Sequence, residues 1–152
     1  MISKESFKNP ILTIDAIIHN DKNQILFIKR KNDPFKEHLS LPGGFVNHGE
    51  KVEDAIKRIV IEEVALNIEP LEILGIYSDP NRDPRDHIIS AVFICLIIDY
   101  LKGKAGDSLA ERYWIHPNEL NNFNLAFDHR MILEDYFNWR INNSTYWSSK
   151  TR

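Results

Sequence analysis

The feature that most constrains this chain is a change in the spacing of its apolar residues near position 50. Ile11 to His19 alternates apolar and β-branched residues as a strand does. Asn20 to Asn23 is a polar turn and Gln24 to Lys29 returns as a second strand, so a hairpin is predicted. From Lys51 the spacing becomes helical: Val52, Ala55, Ile56, Ile59, Val60, Glu63 and Leu66 recur on one side of an amphipathic helix of about four turns. The two regimes are joined by a charged, proline-containing loop, Lys31 to His38, and by Leu41-Pro42-Gly43-Gly44-Phe45. Such a glycine-rich strand end lets backbone approach a ligand closely.

Beyond the helix, Leu71 to Ser78 and His87 to Asp99 read as strands. The Pro-, Asn- and Asp-rich stretch Asp79 to Asp86 between them reads as a structured loop. Gly103 to Ser108 is a turn, Arg112 to His116 a short strand, and Asp128 to Trp139 a C-terminal helix with Met131, Ile132, Leu133, Tyr136 and Phe137 facing the core. Residues 1–9 and 142–152 are expected to be flexible termini. With no repeat, low-complexity block or composition break, the 152 residues are expected to form a single mixed α/β domain.

Composition narrows the function. A hydrophobic share of 43% with 27% charged residues is ordinary for a globular protein, and a net charge of −3 offers no footprint for nucleic acid or an anionic membrane. No apolar run reaches the roughly 18 to 20 residues of a membrane span, and Met1 to Pro10 lacks the apolar region of a signal peptide. The lone Cys95, inside the apolar run Ile88 to Ile98, has no cysteine to pair with. It reads as a buried small hydrophobe, and a cytoplasmic, reducing location is expected.

The chemistry concentrates between Gly43 and Leu66. Residues four apart on a helix lie about 40° apart around its axis, so Arg58 sits under Glu62 and Ile59 under Glu63. With Glu50 in the loop feeding the helix, Glu62 and Glu63 make an oxygen-rich cluster of the kind that hard divalent cations favour. The Gly43 carbonyl adds a ligand, and Arg58 could orient a carboxylate by a charge-assisted hydrogen bond. The plain alternative is a solvated acidic helix face carrying an i,i+4 Arg–Glu pair.

The spacing of Gly44, Glu50, Arg58, Val60, Glu62, Glu63 and Leu66, led by Leu41-Pro42-Gly43-Gly44, resembles the Nudix box, G-x5-E-x7-R-E-U-x-E-E-x-G-U with U aliphatic. Two positions depart: Ile59 stands where the family has a glutamate, and Ala65 where it has a glycine. The resemblance implies a Nudix α/β/α sandwich with a mixed sheet, and a Mg²⁺-dependent hydrolase (Mn²⁺ as substitute) acting on a small nucleoside diphosphate substrate. It implies Gly43, Glu50, Glu62 and Glu63 as metal residues, with Glu62, Glu63 and Arg58 in the catalytic set. Ile59 can neither bind metal nor activate water, so weaker metal binding and slower catalysis are expected. Ala65 is expected to matter less, since alanine suits a helix better than glycine unless φ > 0 is required there.

Ser78-Asp79-Pro80-Asn81-Arg82-Asp83-Pro84-Arg85-Asp86-His87 carries the second signal. A proline about fifteen residues after the box is associated in this family with ADP-ribose pyrophosphatases, and Pro80 falls there; Phe127-Asp128-His129 fits the same branch and its ADP-ribose-sensing relatives. Arg82 and Arg85, on a proline-stiffened loop, suit bidentate phosphate contacts. Pro80, Arg82, Asp83 and Arg85 are thus the candidate substrate residues, against the alternative of a self-satisfied Asp–Arg network. Glu111, in Ala110-Glu111-Arg112-Tyr113-Trp114, resembles a late acidic position in the family and is a candidate base. Phe35 and Tyr77 are candidates for adenine stacking, although packing is the commoner role for either; His87 and His129 read as structural. A homodimer is implied by family habit. An ADP-ribose sensor with weak catalysis, or a hydrolase of another nucleoside diphosphate derivative, are the alternatives.

Overall fold

The computed structural model describes residues 8–102 and 109–152, so the predicted turn at Gly103 to Ser108 lies outside the described residues. Two sheets meet. One is five-stranded and mixed, ordered β4-β1-β6-β5-β8, from β1 (Ile11–Ile18), β4 (Gly43–Phe45), β5 (Leu66–Tyr77), β6 (Ile88–Tyr100) and β8 (Tyr146–Trp147). The other is β3-β2-β7, from β2 (Ile25–Lys29), β3 (Leu39–Ser40) and β7 (Arg112–Ile115). Helix α1 spans Val52–Val64 and α2 spans His129–Asn142, with a 3₁₀ turn at Pro117–Asn122.

The central strands have apolar residues on both faces because both faces are buried. Ile14, Ala16 and Ile18 of β1, with Phe93 and Cys95 of β6, pack under Ala55, Ile56, Ile59 and Val60 of α1. Their alternates, Ile17, Val92 and Ile94, pack instead with Ile132, Leu133 and Tyr136 of α2. Helix, sheet and helix therefore stack in three layers, as expected for the α/β/α architecture.

Three expectations need correction. The turn at Asn20 forms, its Oδ1 accepting the backbone N–H groups of Lys22 and Gln24, but β1 and β2 do not continue as a hairpin. Only His19 and Ile25 bridge, and the strands diverge into different sheets. Both faces of β2 are apolar, with Ile25 and Phe27 entering one core and Leu26 and Ile28 the other, so two buried faces outweigh pairing with β1. Second, the tail beyond Asn142 does not fray. Its β8 pairs parallel to β5, Tyr146 is buried, and Arg152 bonds the buried Asp135 through Nε at 2.6 Å and Nη2 at 2.7 Å. Third, Ala65 is the residue that ends α1, at φ 55°. That is the left-handed conformation where glycine has no Cβ penalty, so this departure from the box carries a strain.

Candidate active site

Strand β4 and the carboxyl half of α1 supply one wall of a cleft at the end of the central sheet. The Gly43 N–H donates to Oε1 of Glu63 at 3.0 Å, fixing that carboxylate against the strand. Gly43 is required by its other side: a Cβ there would lie 2.0 Å from Oδ1 of Asp15 and 2.6 Å from the Ile14 carbonyl oxygen. Burial, offset in part by the Gly43 bond and reinforced by the Asp15 and Glu62 charges, pushes the Glu63 carboxyl up to about 7.

Arg58 is the organiser of this wall and faces away from the cleft. Its Nε and Nη2 donate to Glu50 at 2.8 and 2.9 Å, Nη1 to Glu62 at 3.3 Å, and Nη2 also to the Phe45 carbonyl at 3.1 Å. Glu50 accepts in addition from the Asn47 N–H at 3.0 Å. The Arg58 bonds first, then the Asn47 bond, hold its carboxyl down at about 2. Glu50 thus fastens the loop to α1, while Glu62 is exposed, bordering a neighbouring depression together with Glu63 and Arg30. Ile59 is buried, and a Cβ on Gly44 would meet its Cδ1 at 3.3 Å, so the box's missing glutamate is replaced by a side chain packed into the core under β4. Among the described residues no three acidic, His or Cys side chains are gathered as ready-made metal ligands.

The opposite wall comes from the Asp79–Asp86 loop and the entry to α2. Arg82 is almost wholly buried and bonded bidentately to Asp128, Nε at 2.9 Å and Nη2 at 2.6 Å. Arg85 bonds Asp83 through Nε at 3.0 Å and Nη2 at 2.8 Å, and its side chain is 41% exposed. The self-satisfied network weighed from the sequence is therefore present, complete for Arg82 and partial for Arg85. Gly43, Glu63, Arg82, Asp83 and Arg85 line the cleft. Glu50, Arg58, Glu62, Pro80 and Glu111 do not. Pro80 is exposed in the turn where the Arg82 N–H bonds the Asp79 carbonyl at 3.0 Å. Glu111 is exposed and takes its hydrogen bond from the Tyr113 hydroxyl. Tyr77 is in the core, donating to Asp135 at 2.8 Å, and Phe35 packs edge-on to Phe127. His87 is bonded to the Ser78 carbonyl oxygen at 3.0 Å, and Nδ1 of His129 accepts from the Leu41 N–H at 3.0 Å.

Two charged lining residues, Asp15 and Arg30, carry no site role in the sequence, and Phe127 carries one only as part of Phe127-Asp128-His129. Asp15, buried and bonded by the Ser90 hydroxyl, was signalled by being the one charged residue in a strand otherwise of apolar residues and one threonine. Arg30 directly follows β2, with no pattern around it to mark it.

A NUDIX domain model matches residues 10–136. The chain belongs to the Nudix family. An ADP-ribose pyrophosphatase of Methanocaldococcus jannaschii is 47% identical to this Nudix chain over 136 residues, 88% of this chain and 77% of that protein. An ADPR-responsive transcriptional repressor, NtrR, of Acinetobacter baylyi is 28% identical over 151 residues, 96% of this chain but only 60% of the repressor. Among solved structures, the NUDIX domain of Shewanella oneidensis NrtR, complexed with ADP ribose, superposes with a TM-score of 0.76 at 25% identity, covering 94% of both chains. Family and fold are those expected from residues 44–66. No helix among the described residues is long and apolar enough to cross a membrane.

Proposed function

We propose that this Nudix chain hydrolyses the diphosphate of ADP-ribose to AMP and ribose 5-phosphate with the help of Mg²⁺. One observation carries the reading: a single cleft is lined both by a partly buried carboxylate, Glu63, and by the guanidinium groups of Arg85 and Arg30. That pairing of an acidic wall with a basic wall suits a metal-bridged diphosphate, and the 47% identical pyrophosphatase supports ADP-ribose as its carrier.

The donor set fits a divalent ion held jointly with substrate. Glu63 carries a carboxyl whose charge is opposed by burial and by Asp15 and Glu62, a repulsion that a cation would relieve. Glu62, Glu63 and the Gly43 carbonyl would hold it, since Mg²⁺ commonly takes one or two carboxylates and completes its shell with water and phosphate. Such an ion neutralises the diphosphate and lowers the pKa of the attacking water. The chain's own residues then divide the work. Gly43 fixes the Glu63 carboxylate, Glu50 and Arg58 brace the helix that presents it, and Arg85 contacts phosphate oxygens. Water attacks one phosphorus, the P–O bond to the bridging oxygen breaks, and the water's proton passes to a nearby base. Glu63, with its charge engaged by the ion, is not free to take that proton, so Glu111, exposed beside the cleft, is the candidate base.

A second reading, an ADP-ribose sensor with weak catalysis, is favoured by Ile59, which leaves the acidic wall one carboxylate short. Incubation with ADP-ribose and Mg²⁺ or Mn²⁺, following AMP release alongside calorimetric binding, separates the two. Turnover supports the enzyme; binding without turnover sinks it in favour of the sensor; no binding rules out ADP-ribose and directs the search to other nucleoside diphosphate derivatives. A homodimer is part of the proposal, supported by exposed Leu71, Ile73 and Ile76 on β5 and Leu96 and Ile98 on β6. So is a cytoplasmic location, supported by a nucleotide substrate and by a buried Cys95 whose thiol is pushed up to about 12 by desolvation.

A further inference from the structure

The basic wall poses a physical problem. Arg82 is occupied by Asp128 and Arg85 gives Nε and Nη2 to Asp83, so the guanidinium donors left to meet a ligand are the outer edge of Arg85 and those of Arg30, two like charges lining one cleft. They repel, and Arg30 is held below the usual arginine range by burial and by Arg85. The ring of Phe127 lies against both, with Cζ of Arg30 4.8 Å from its centroid and Cζ of Arg85 at 5.6 Å. An aromatic face attracts guanidinium through its quadrupole and lets the flat cation stack with its donors still free at the edge.

Phe127 reaches this place by an unfavourable backbone. Its φ is 53°, a left-handed conformation that bulky side chains rarely adopt. The strand-like segment before it is fixed by the Ala126 N–H to the Leu39 carbonyl at 2.8 Å, and α2 begins two residues on, so the chain turns sharply at Phe127. The turn places the ring against Phe35, centroids 4.9 Å apart and edge-on, and against the His129 ring at 5.5 Å. Strain of this kind persists where surrounding contacts over-determine it, and it concentrates at ligand sites. Arg30 is steadied from its other end, Nε donating to the Pro34 carbonyl at 2.7 Å, and none of its terminal nitrogens hydrogen-bonds another described residue.

We propose that Phe127 is a positioning residue: its ring mounts Arg30 and Arg85 side by side as a preassembled fork for the two phosphates of a nucleoside diphosphate. This deepens, and rests on, the reading of the cleft as a diphosphate site. A monophosphate engages one guanidinium and gains little from the mount; a diphosphate engages both.

Calorimetry with Mg²⁺ tests it, using ADP-ribose, inorganic pyrophosphate and AMP as probes on Phe127→Leu, Phe127→Tyr, Arg30→Lys and the Leu/Lys double variant, each checked by thermal midpoint. Phe127→Leu is expected to weaken both diphosphates about tenfold and AMP by no more than about twofold. Phe127→Tyr, which keeps the aromatic face, stays within about twofold of wild type. Arg30→Lys, which keeps the charge but lacks the stacked fork, weakens like Phe127→Leu, and the double variant is no worse than either single one. Unchanged pyrophosphate affinity in Phe127→Leu, equal loss in Phe127→Tyr, or additive losses would overturn the mount. Should Phe127→Leu fail to fold, Arg30→Lys and Phe127→Tyr carry the same decision. The two readings separate cleanly. Pyrophosphate binding that depends on the ring, without ADP-ribose binding, keeps the mount and removes the substrate; ADP-ribose binding indifferent to Phe127 does the reverse.

Discussion

The two walls of the cleft are built from the same residue types, arginine and carboxylate, and use them in opposite ways. On the α1 wall, Arg58 turns outward, gathers Glu50 and Glu62, and leaves Glu63 facing the cleft on its Gly43 tether. On the loop wall the arginines face inward and carboxylates take them up: Asp128 holds Arg82 completely and Asp83 holds Arg85 by half. What matters for chemistry is therefore which partner is left over. Braced carboxylates yield an open acid on one side, and braced guanidiniums an open cation on the other.

The largest effect should come from the open acid. Glu63→Gln keeps the Gly43 hydrogen bond through the amide oxygen but loses the charge, and turnover of ADP-ribose is expected to fall about a thousandfold with folding intact. Steady-state AMP release beside a thermal melt would check this; a fall in the melting temperature matching the loss of rate would dissolve the contrast between brace and open group. Next come the two arginines, which should part company. Arg82→Ala strands Asp128 beside a buried vacancy and should cost about 3 kcal/mol of stability. Arg85→Ala removes a partly exposed guanidinium from the buried Asp83 and should cost about 2 kcal/mol, less than Arg82→Ala, but weaken ADP-ribose about tenfold. Urea unfolding and calorimetry on both variants would test the split, and equal behaviour would erase it. The smallest effect sharpens the α1 wall itself. Ala65→Gly relieves the left-handed backbone at φ 55° and should stabilise by about 1 kcal/mol, read as a raised urea midpoint at unchanged slope.

The α1 wall was legible in the sequence because its partners lie within one local segment. Arg58 and Glu62 are four residues apart, a spacing that helix geometry alone brings together, and Glu50 lies in the loop just ahead of the same helix. The loop wall was not, because Arg82 finds Asp128 46 residues away, and no local pattern shows that it is taken. Asp15 and Glu63 meet for a similar long-range reason, through the register of β1 with β4. Ile59 was legible both as a missing ligand and as a core position of the helix, but its contact with Gly44 was not. The consequence of Ala65 was not legible because the sequence does not mark where the helix ends, and a helix end, unlike its interior, rewards the residue that tolerates positive φ. The predicted hairpin failed at strands whose two faces are both apolar, since alternation cannot say which sheet such a strand joins.

The most direct test of the central claim is hydrolysis in ¹⁸O-labelled water. ADP-ribose and Mg²⁺ are incubated with the wild-type chain and the products read by mass spectrometry. Equimolar AMP and ribose 5-phosphate are expected, with one solvent oxygen in one of the two. ADP-ribose recovered intact from a chain that binds it would contradict the account and leave a receptor where an enzyme has been described.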